Sequence, residues 1–442
     1  MKKSSRYWFR LTLAFINRFK LIFLAGFGIG IFIFIFFEIL FPHLPKNTQR
    51  IAIIGEYTTQ NLPPTISKLI SMGLTTLDKS GKAIPGLAEK WEASDSGKIW
   101  TFHLNKNLHW QDGTNITAND INYNFSDAKV SKPDKYTVVF TLTTAFAPFP
   151  VSVSTPIYKT GLLGVGNWRV TGLTLAGTYV ETLTLQDIQN NQEIFKFYPT
   201  EDRAKLAYEL GGIDKLNNLI NPTPFDKWNV VNLVKETNTQ QYVGVYFNTA
   251  DNLTADKDFR QALNYAIDKS EWKDMRAFGP LSPDSWAYNP SLKPYEFDLD
   301  HAKELIKDSK IDPKDKKDLK IKLTTIPDLL PLAEQIAKTW KEAGIETTVQ
   351  VSAYRPEDYQ AYLAVYPIPN DPDQYFNWHH TQTQSNLTKY NNPRIDKLLE
   401  DGRLETNETK RKAIYFDFQK FLVEDSPAAF LYYPSYYSVS KK

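Results

Sequence analysis

The sequence predicts an α/β chain of two lobes, with a β-rich subdomain inserted in the first lobe and a membrane-spanning helix near the N-terminus. A length of 442 residues exceeds what one hydrophobic core supports, so at least two packed units are expected. Residues 319–351 read as strand, helix and strand, which is the pattern of a βαβ unit. Residues 86–125 instead hold short alternating strands separated by turns, as in an antiparallel module.

The membrane helix is predicted at residues 21–41, where the run LIFLAGFGIGIFIFIFFEILF carries a single charge, Glu38. About 20 apolar residues are enough to cross a hydrocarbon core of about 30 Å. Residues 1–20 are basic and are expected to stay cytoplasmic, which places the body outside the cell. No small-residue cleavage site follows, so an uncleaved anchor is favoured over a signal peptide. The sequence thus predicts a single-pass protein of the cell membrane.

The composition of the body excludes several classes of function. Residues 1–50 hold eight Lys/Arg and one acidic residue, which leaves 44 basic against 49 acidic residues beyond them. A body of that charge, without a basic stripe, does not fit nucleic-acid binding. The absence of cysteine excludes disulfides, thiolate catalysis, cysteine metal sites and a lipid-modified cysteine. The 24 Tyr, 27 Phe and 10 Trp exceed what packing alone usually demands and suit the lining of a binding cleft.

Six stretches of the body resemble, in order, the family 5 solute-binding proteins of ABC transporters, a family best known for oligopeptide and dipeptide uptake. The most specific is the stretch from Gly73 to Phe125, with its GLAEKW and WQDGT motifs. The other five are YTVVFTL from 136, GVGNW from 164, YFNTADNLTADKDFRQALNYAID from 246, DPDQYFNWH from 371 and NLTKYNNPRIDKLLEDGR from 386.

The resemblance implies a periplasmic-binding-protein-like fold (type II, cluster C), in which two lobes close on a ligand about a hinge of two crossing strands. It also implies a peptide ligand, an ABC permease as partner, no cofactor and no enzymatic activity. The predicted segmentation is a stalk at 42–50, lobe I at 51–66, 155–240 and 425–442, the inserted subdomain at 67–154, and lobe II at 241–424. A monomer is expected.

Seven residues are predicted to bind the ligand. Glu56 and Tyr57 end the first strand, where open α/β sheets present ligand contacts. Tyr246 and Asn248 lie at the expected crossing between lobes, although a structural role for the Asn248 amide is the alternative. The remaining three, Asp371, Trp378 and Asn386, belong to a segment that in the family forms the far wall of the cleft.

The sequence departs from the family pattern in two places. Peptide-binding members carry a carboxylate about three residues before the Asp-Pro pair, where it holds the ligand's ammonium group, and here that position is Ile368. An ammonium group in a closed cleft needs a charged partner, which Asp371 or Glu56 would have to supply. The inserted subdomain is also trimmed, because residues 124–140 lead almost directly into the next strand.

The alternative functions are a ligand sensor and an anchored hydrolase. A binding protein that senses its ligand without transport differs from an importer only in its partner. An anchored hydrolase would need two converging carboxylates, and no G-x-S-x-G, Walker A or metal-ligand motif accompanies them. His379 and His380 are adjacent and have no Cys or regularly spaced His or Glu nearby, so the sequence predicts no metal site.

Overall fold

The computed structural model describes residues 5–40, 47–270, 272, 274–312, 314, 316 and 318–442. The helices are α1 (Ser5–Leu40), α2 (Pro64–Ile70), α3 (Phe149–Ser152), α4 (Glu201–Glu209), α5 (Lys257–Tyr265), α6 (Leu299–Asp308), α7 (Leu330–Glu342), α8 (Tyr375–Trp378), α9 (Pro393–Leu404) and α10 (Glu408–Asp425). The strands are β1 (Asn47–Ile54), β2 (Thr75–Leu77), β3 (Ala83–Pro85), β4 (Ala88–Ser94), β5 (Ile99–Leu104), β6 (Ala128–Asp134), β7 (Thr137–Leu142), β8 (Trp168–Ala176), β9 (Tyr179–Asp187), β10 (Asn191–Tyr198), β11 (Lys215–Leu219), β12 (Val231–Thr237), β13 (Gln241–Phe247), β14 (Lys320–Thr325), β15 (Glu346–Val351), β16 (Ala361–Pro367), β17 (Ala428–Tyr432) and β18 (Ser435–Lys441).

The first lobe is built on a mixed seven-stranded sheet in the order β12-β18-β11-β1-β10-β9-β8. The central strand β1 is parallel to both of its neighbours, β10 and β11. Separate apolar clusters contain Ile51 and Ala52, which follow each other on β1 and so face opposite sides of the sheet. Next to this sheet, Thr200 caps α4 by accepting a hydrogen bond from the Arg203 N–H, as expected at a helix start.

The inserted subdomain enters between α2 and β8 and is all β apart from single turns and the short α3. It has a two-stranded sheet, β2-β3, and a four-stranded antiparallel sheet, β4-β5-β7-β6. Burial alternates along β5, so that Trp100, Phe102 and Leu104 share the inner face. The ring of Phe102 meets that of Phe140 edge to face, with centroids 5.8 Å apart. The aromatic residues of the stretch therefore build a core of their own.

The second lobe has a five-stranded sheet in the order β15-β14-β16-β13-β17. Strands β14 and β15 pair in parallel on either side of α7, which confirms the predicted βαβ unit. Gly344, at φ +91°, follows the end of α7 and allows the chain to turn into β15. Burial of Ile336 and Trp340 on one side of α7 places this helix against the sheet.

The chain crosses between the lobes twice, from β12 to β13 and from β17 to β18. The crossings lie side by side, since the Asn238 N–H donates to the carbonyl of Pro434 over 2.8 Å.

The observed sheets differ from the predicted segmentation at two points. Strand β17 pairs with β13 and so belongs to the second lobe, although residues 425–442 were predicted for the first. Residues 47–50 of the predicted stalk are part of β1, and residues 42–46 lie outside the described residues.

Helix α1 contains the predicted anchor up to Leu40. Its stretch Arg18–Phe36 is long and apolar enough to cross a membrane, and none of that stretch is buried against the rest of the protein. A signal sequence near the N-terminus satisfies the same test of length and composition. The two-lobed α/β fold with its β-rich insertion is as predicted from the sequence.

Candidate functional site between the lobes

A cavity between the lobes lies beside the two chain crossings and has a volume of about 530 Å³. This volume falls in the range of small-ligand sites. Both lobes line it, and we call it the inter-lobe cavity. Its charged and aromatic lining residues are Lys235, Asp274, Asp328, Tyr432, Tyr436 and Tyr437.

Charges of both signs face the inter-lobe cavity. Lys235 Nζ lies 2.9 Å from Asp274 Oδ1, and this hydrogen bond raises the pKa of Lys235. The Ser435 hydroxyl also donates to Asp274, over 2.7 Å. Asp328 is exposed in the turn between β14 and α7 and has no hydrogen-bonding or ionic partner within the described part of the chain. Its carboxylate is thus available to a ligand, whereas the other two charges are already paired.

Tyrosine rings form part of the wall of the inter-lobe cavity, beside aliphatic side chains such as Val243 and Leu329. The Tyr436 hydroxyl donates to Gln241 Oε1 over 2.7 Å, which fixes this ring beside a chain crossing. The ring of Tyr432 packs against Trp272 with centroids 5.3 Å apart, and burial raises the pKa of Tyr432 to about 12. These phenols therefore stay protonated at neutral pH and present rings and neutral hydroxyls to a ligand.

A second cavity, of about 290 Å³, lies where the loop after β1 meets the second lobe. We call it the Asn370 cavity, because Asn370 is the residue that the second lobe contributes to it. Close by, the backbone of Gly81 from the inserted subdomain approaches the Asn370 carbonyl so tightly that a Cβ on Gly81 would lie 2.1 Å from that oxygen. The two parts of the chain are therefore in direct contact.

The inserted subdomain holds the second lobe through a set of contacts that we call the clamp. The Ala147 N–H donates to the Arg403 carbonyl over 2.7 Å, and the Trp286 N–H donates to the Ser80 carbonyl over 3.3 Å. The Arg403 guanidinium also lies over the Phe146 ring, 5.3 Å from its centroid. Beside the clamp is a third cavity of about 440 Å³, the clamp cavity, lined by residues of both parts. The lobes are thus closed on each other.

Comparison with known proteins identifies the family. The model of the bacterial extracellular solute-binding proteins, family 5, matches residues 82–179 and 187–386. This chain belongs to that family. The resemblance seen in the sequence motifs is thereby confirmed.

Relatives within the family bind different ligands. The dipeptide-binding protein of Escherichia coli is 23% identical, with 86% of this chain and 85% of that protein covered. Heme-binding protein A of Haemophilus influenzae is 23% identical, with 78% and 77% covered. The structure of the oligopeptide-binding protein AppA from Bacillus subtilis with a nonapeptide superposes with a TM-score of 0.68 at 20% identity, covering 90% of this chain and 95% of that one.

Four of the seven residues predicted to bind ligand are buried and hydrogen-bonded or packed within the second lobe. The Asn248 amide donates to the Tyr359 carbonyl over 2.9 Å, and the Asn386 amide donates to the Tyr390 carbonyl, also over 2.9 Å. Tyr246 is packed in the core beside other tyrosines. The Trp378 indole donates to Gln374 over 3.2 Å. None of the four lines the three cavities described here.

Asp371 does line the clamp cavity, but it is bound by Arg411. The guanidinium of Arg411 makes a bidentate contact to this carboxylate, with Nη1 to Oδ2 at 2.9 Å, and both side chains are at most 10% exposed. Glu56 and Tyr57 follow β1 in the first lobe. Glu56 is exposed, and the Tyr57 ring packs on Phe197 with centroids 5.8 Å apart. The structure therefore does not bring the seven predicted residues together into one site.

Ile368 belongs to the core of the second lobe and is 6% exposed. Its N–H donates to the carbonyl of Gln240 in the first crossing, over 2.8 Å. An apolar side chain fits this position, and a carboxylate there would be buried without a partner. The unpaired acidic group of the inter-lobe cavity, within the described part of the chain, is Asp328, which the motif comparison missed. The sequence feature that could have indicated Asp328 is its position just after the carboxyl end of β14 in the βαβ unit, where such sheets bind ligands.

Proposed function

We propose that this protein binds oligopeptides between its lobes and delivers them to an ABC permease, without enzymatic activity. The observation that carries the proposal is the inter-lobe cavity, in which an unpaired carboxylate, a lysine and tyrosine rings converge from both lobes. Family membership and peptide-binding relatives support the same ligand class. Varied peptides are bound through their ends and main chain, with rings and water beside the side chains.

The charges of the inter-lobe cavity suggest how a peptide would be oriented. Asp328 takes the ligand's ammonium group, the role for which the family pattern led us to expect a carboxylate at position 368. Lys235 takes the carboxylate end by exchanging its bond to Asp274 for one to the ligand. Both contacts are charge-assisted hydrogen bonds, which are stronger when closure removes water.

Closure of the lobes is the step that a permease would recognise. The clamp contacts join the inserted subdomain to the second lobe, so they break when the lobes open. A ligand that touches both lobes shifts the population towards the closed form by its extra affinity for that form. Binding is thereby converted into a change of shape.

Helix α1 is proposed to tether the body to the outer face of the cell membrane, with residues 1–20 in the cytoplasm. The tether does the work of a lipid anchor, because it keeps the binding lobes at a high effective concentration near the permease. A sensor would share the same lobes and tether. Co-purification of an ABC permease with the full chain supports transport, and recovery of only a signalling protein supports sensing instead.

The first experiment is native mass spectrometry of the full chain in detergent micelles, with release and sequencing of the bound ligand. A set of short peptides supports the proposal, and a discrete non-peptide mass or an empty protein that fails to bind a peptide library contradicts it.

The orientation of the peptide is tested with Asp328→Asn. We expect this change to weaken the binding of a free peptide by at least about tenfold, since it removes one charge-assisted bond. Binding of the N-acetylated peptide should hardly change, because that ligand has no ammonium group. Glu334→Gln, on the exposed side of the adjacent helix α7, is the matched control. Equal losses for both peptides would refute the assignment of Asp328.

A further inference from the structure

Three potential metal ligands meet where the end of α8 faces α9. His379 and His380 follow α8, and Asp396 lies in the first turn of α9. One ligand atom from each, a ring nitrogen of each histidine and a carboxylate oxygen, lies within 4.8 Å of the other two. His380 Nδ1 is 2.8 Å from one oxygen of Asp396, and His379 Nε2 is 3.9 Å from the other. The fold thus brings Asp396 next to two adjacent histidines, of which His380 is 16 residues earlier in the chain.

The cluster is held in place by its surroundings. His379 is 2% exposed, and its ring stacks on Tyr375 with centroids 4.0 Å apart. The second nitrogen of this ring, Nδ1, lies 2.8 Å from the Thr381 hydroxyl, an outer contact that orients a metal-bound imidazole. Asp396 is also buried and accepts a hydrogen bond from the His380 N–H over 3.0 Å. Two of the three groups therefore need no rearrangement before they bind an ion.

We propose that His379, His380 and Asp396 bind a divalent transition-metal ion, with Zn²⁺ favoured by the ligand types. Two imidazoles and one carboxylate are a common ligand set for zinc, which prefers four ligands at about 2.0–2.2 Å. Glu400 supplies the fourth, since its Oε1 lies 3.4 Å from His379 Nε2. The ion takes the place of the protons that now bridge these groups. The exposed His380 ring is free to rotate slightly and so complete the set of metal ligands.

The proposed site is separate from the inter-lobe cavity and lies next to the clamp. On the face of Tyr375, the Arg403 guanidinium lies 4.0 Å from the ring centroid, and the Arg403 carbonyl accepts the Ala147 N–H of the inserted subdomain. A metal that ties α8 to α9 would therefore stiffen the second-lobe side of the clamp. The proposal does not depend on the identity of the ligand bound between the lobes.

The test is a titration of the full chain with Zn²⁺ in detergent, after treatment with a chelator, followed by calorimetry. We expect one Zn²⁺ per chain at this site and a loss of affinity of at least about tenfold in His380→Ala. The His380 side chain is 46% exposed, so this variant should fold normally. Its folding is checked by the circular dichroism spectrum and the melting temperature without metal.

The matched control is His103→Ala, which removes a partly exposed histidine that also pairs with a carboxylate, Glu92, at 3.1 Å. Zinc affinity should be unchanged in that variant. A second readout is the visible spectrum of the Co²⁺-loaded chain, which should lose its imidazole-ligand features in His380→Ala and keep them in His103→Ala. Absence of Zn²⁺ binding by the unmodified chain, or equal affinity in the two variants, would overturn the proposal.

Discussion

The Nζ atom of Lys82 lies 2.6 Å from Oε1 of Glu408, and this ion pair joins the inserted subdomain to the second lobe at the start of α10. Lys82 also lies over the ring of Trp286, with 5.8 Å between Nζ and the ring centroid. Both charged side chains are more than a third exposed, at 38% and 60%. The pair is therefore part of the clamp, but solvent screens it strongly.

Reversing one charge of this pair should favour the open form. We expect Lys82→Glu or Glu408→Lys alone to lower ligand affinity about two- to fivefold, in line with about 0.5–1 kcal/mol for an exposed pair. The double reversal should restore most of the loss. Because the chain has no cysteine, dyes on Lys129→Cys and Lys307→Cys can report closure by energy transfer. An unchanged closed fraction in both single variants would exclude a role of this pair in closure.

Gly81→Ala should block full closure, because the new Cβ would lie 2.1 Å from the Asn370 carbonyl oxygen. We expect ligand affinity to fall by more than about tenfold, since about 1.4 kcal/mol of lost closure energy suffices. Gly113→Ala is the matched control, because Gly113 has φ +82° against +83° for Gly81 and nothing lies within 4 Å of its Cβ position. Both variants should lose about 1 kcal/mol of stability from backbone strain. Peptide affinity measured by calorimetry distinguishes the two variants. If Gly81→Ala and Gly113→Ala bind the peptide with similar affinity, the contact between Gly81 and Asn370 is not needed for closure.

Asp371→Asn should destabilise the second lobe, because it leaves the buried guanidinium of Arg411 without its counter-charge. The expected loss is about 3–5 kcal/mol in the free energy of unfolding. Glu92→Gln changes another acidic residue of the clamp cavity, but one whose side chain is 70% exposed, and should cost less than about 0.5 kcal/mol. Urea unfolding followed by tryptophan fluorescence measures both. A stable Asp371→Asn variant that has lost ligand binding would instead assign Asp371 to the ligand.

Asp214 should make the first lobe sensitive to acid. The Arg50 side chain donates to both oxygens of Asp214 over 2.8 Å, and these hydrogen bonds lower the pKa of Asp214. A carboxylate whose pKa is lower in the folded protein adds to the free energy of unfolding. That stabilisation is fully present above the pKa of the unfolded chain, about 4, and is lost as the pH falls towards the pKa of the folded protein. Asp214→Asn should therefore cost about 1 kcal/mol at pH 7 and progressively less below pH 4.

The measurement for Asp214 is the melting temperature of the chain and its variant between pH 7 and pH 2. Asp318→Asn serves as the control, since its 69% exposed side chain forms an ion pair on the surface and should show no such convergence. A difference for Asp214→Asn that stays constant down to pH 2 would contradict the depressed pKa.

The sequence was sufficient for elements whose contacts are local. The βαβ unit around α7 and the alternation along β5 could both be predicted from the spacing of apolar residues. Buried residues recur every second residue along a strand and every three to four residues along a helix. Site residues could not be placed in the same way. The Asn248 amide donates to the carbonyl of Tyr359, which lies 111 residues further along the chain. A local sequence pattern cannot predict such a contact.

The same limit explains the residues that the sequence analysis missed. Lys235 and Asp328 line one cavity although they lie in different lobes, so their proximity depends on how the lobes meet. Asp396 of α9 meets His380 at the end of α8, and the sequence alone did not indicate that contact. Motif comparison identified the family from its scaffold, whereas Lys235 and Asp328, which are proposed to hold the ligand, lie outside the motifs.

The position of β18 between β12 and β11 has a consequence for biosynthesis. Among the described residues, strand β12 pairs only with β18 in the first sheet, and almost the whole second lobe is encoded between them, in residues 238–434. At ribosomal rates of about 5–20 residues per second, β12 waits about 10–40 s for its neighbour to be made. A nascent chain therefore completes most of the second lobe while the edge of the first is still open. Because Ser435, Tyr436 and Tyr437 of β18 also line the inter-lobe cavity, that cavity is complete only after β18 has been translated.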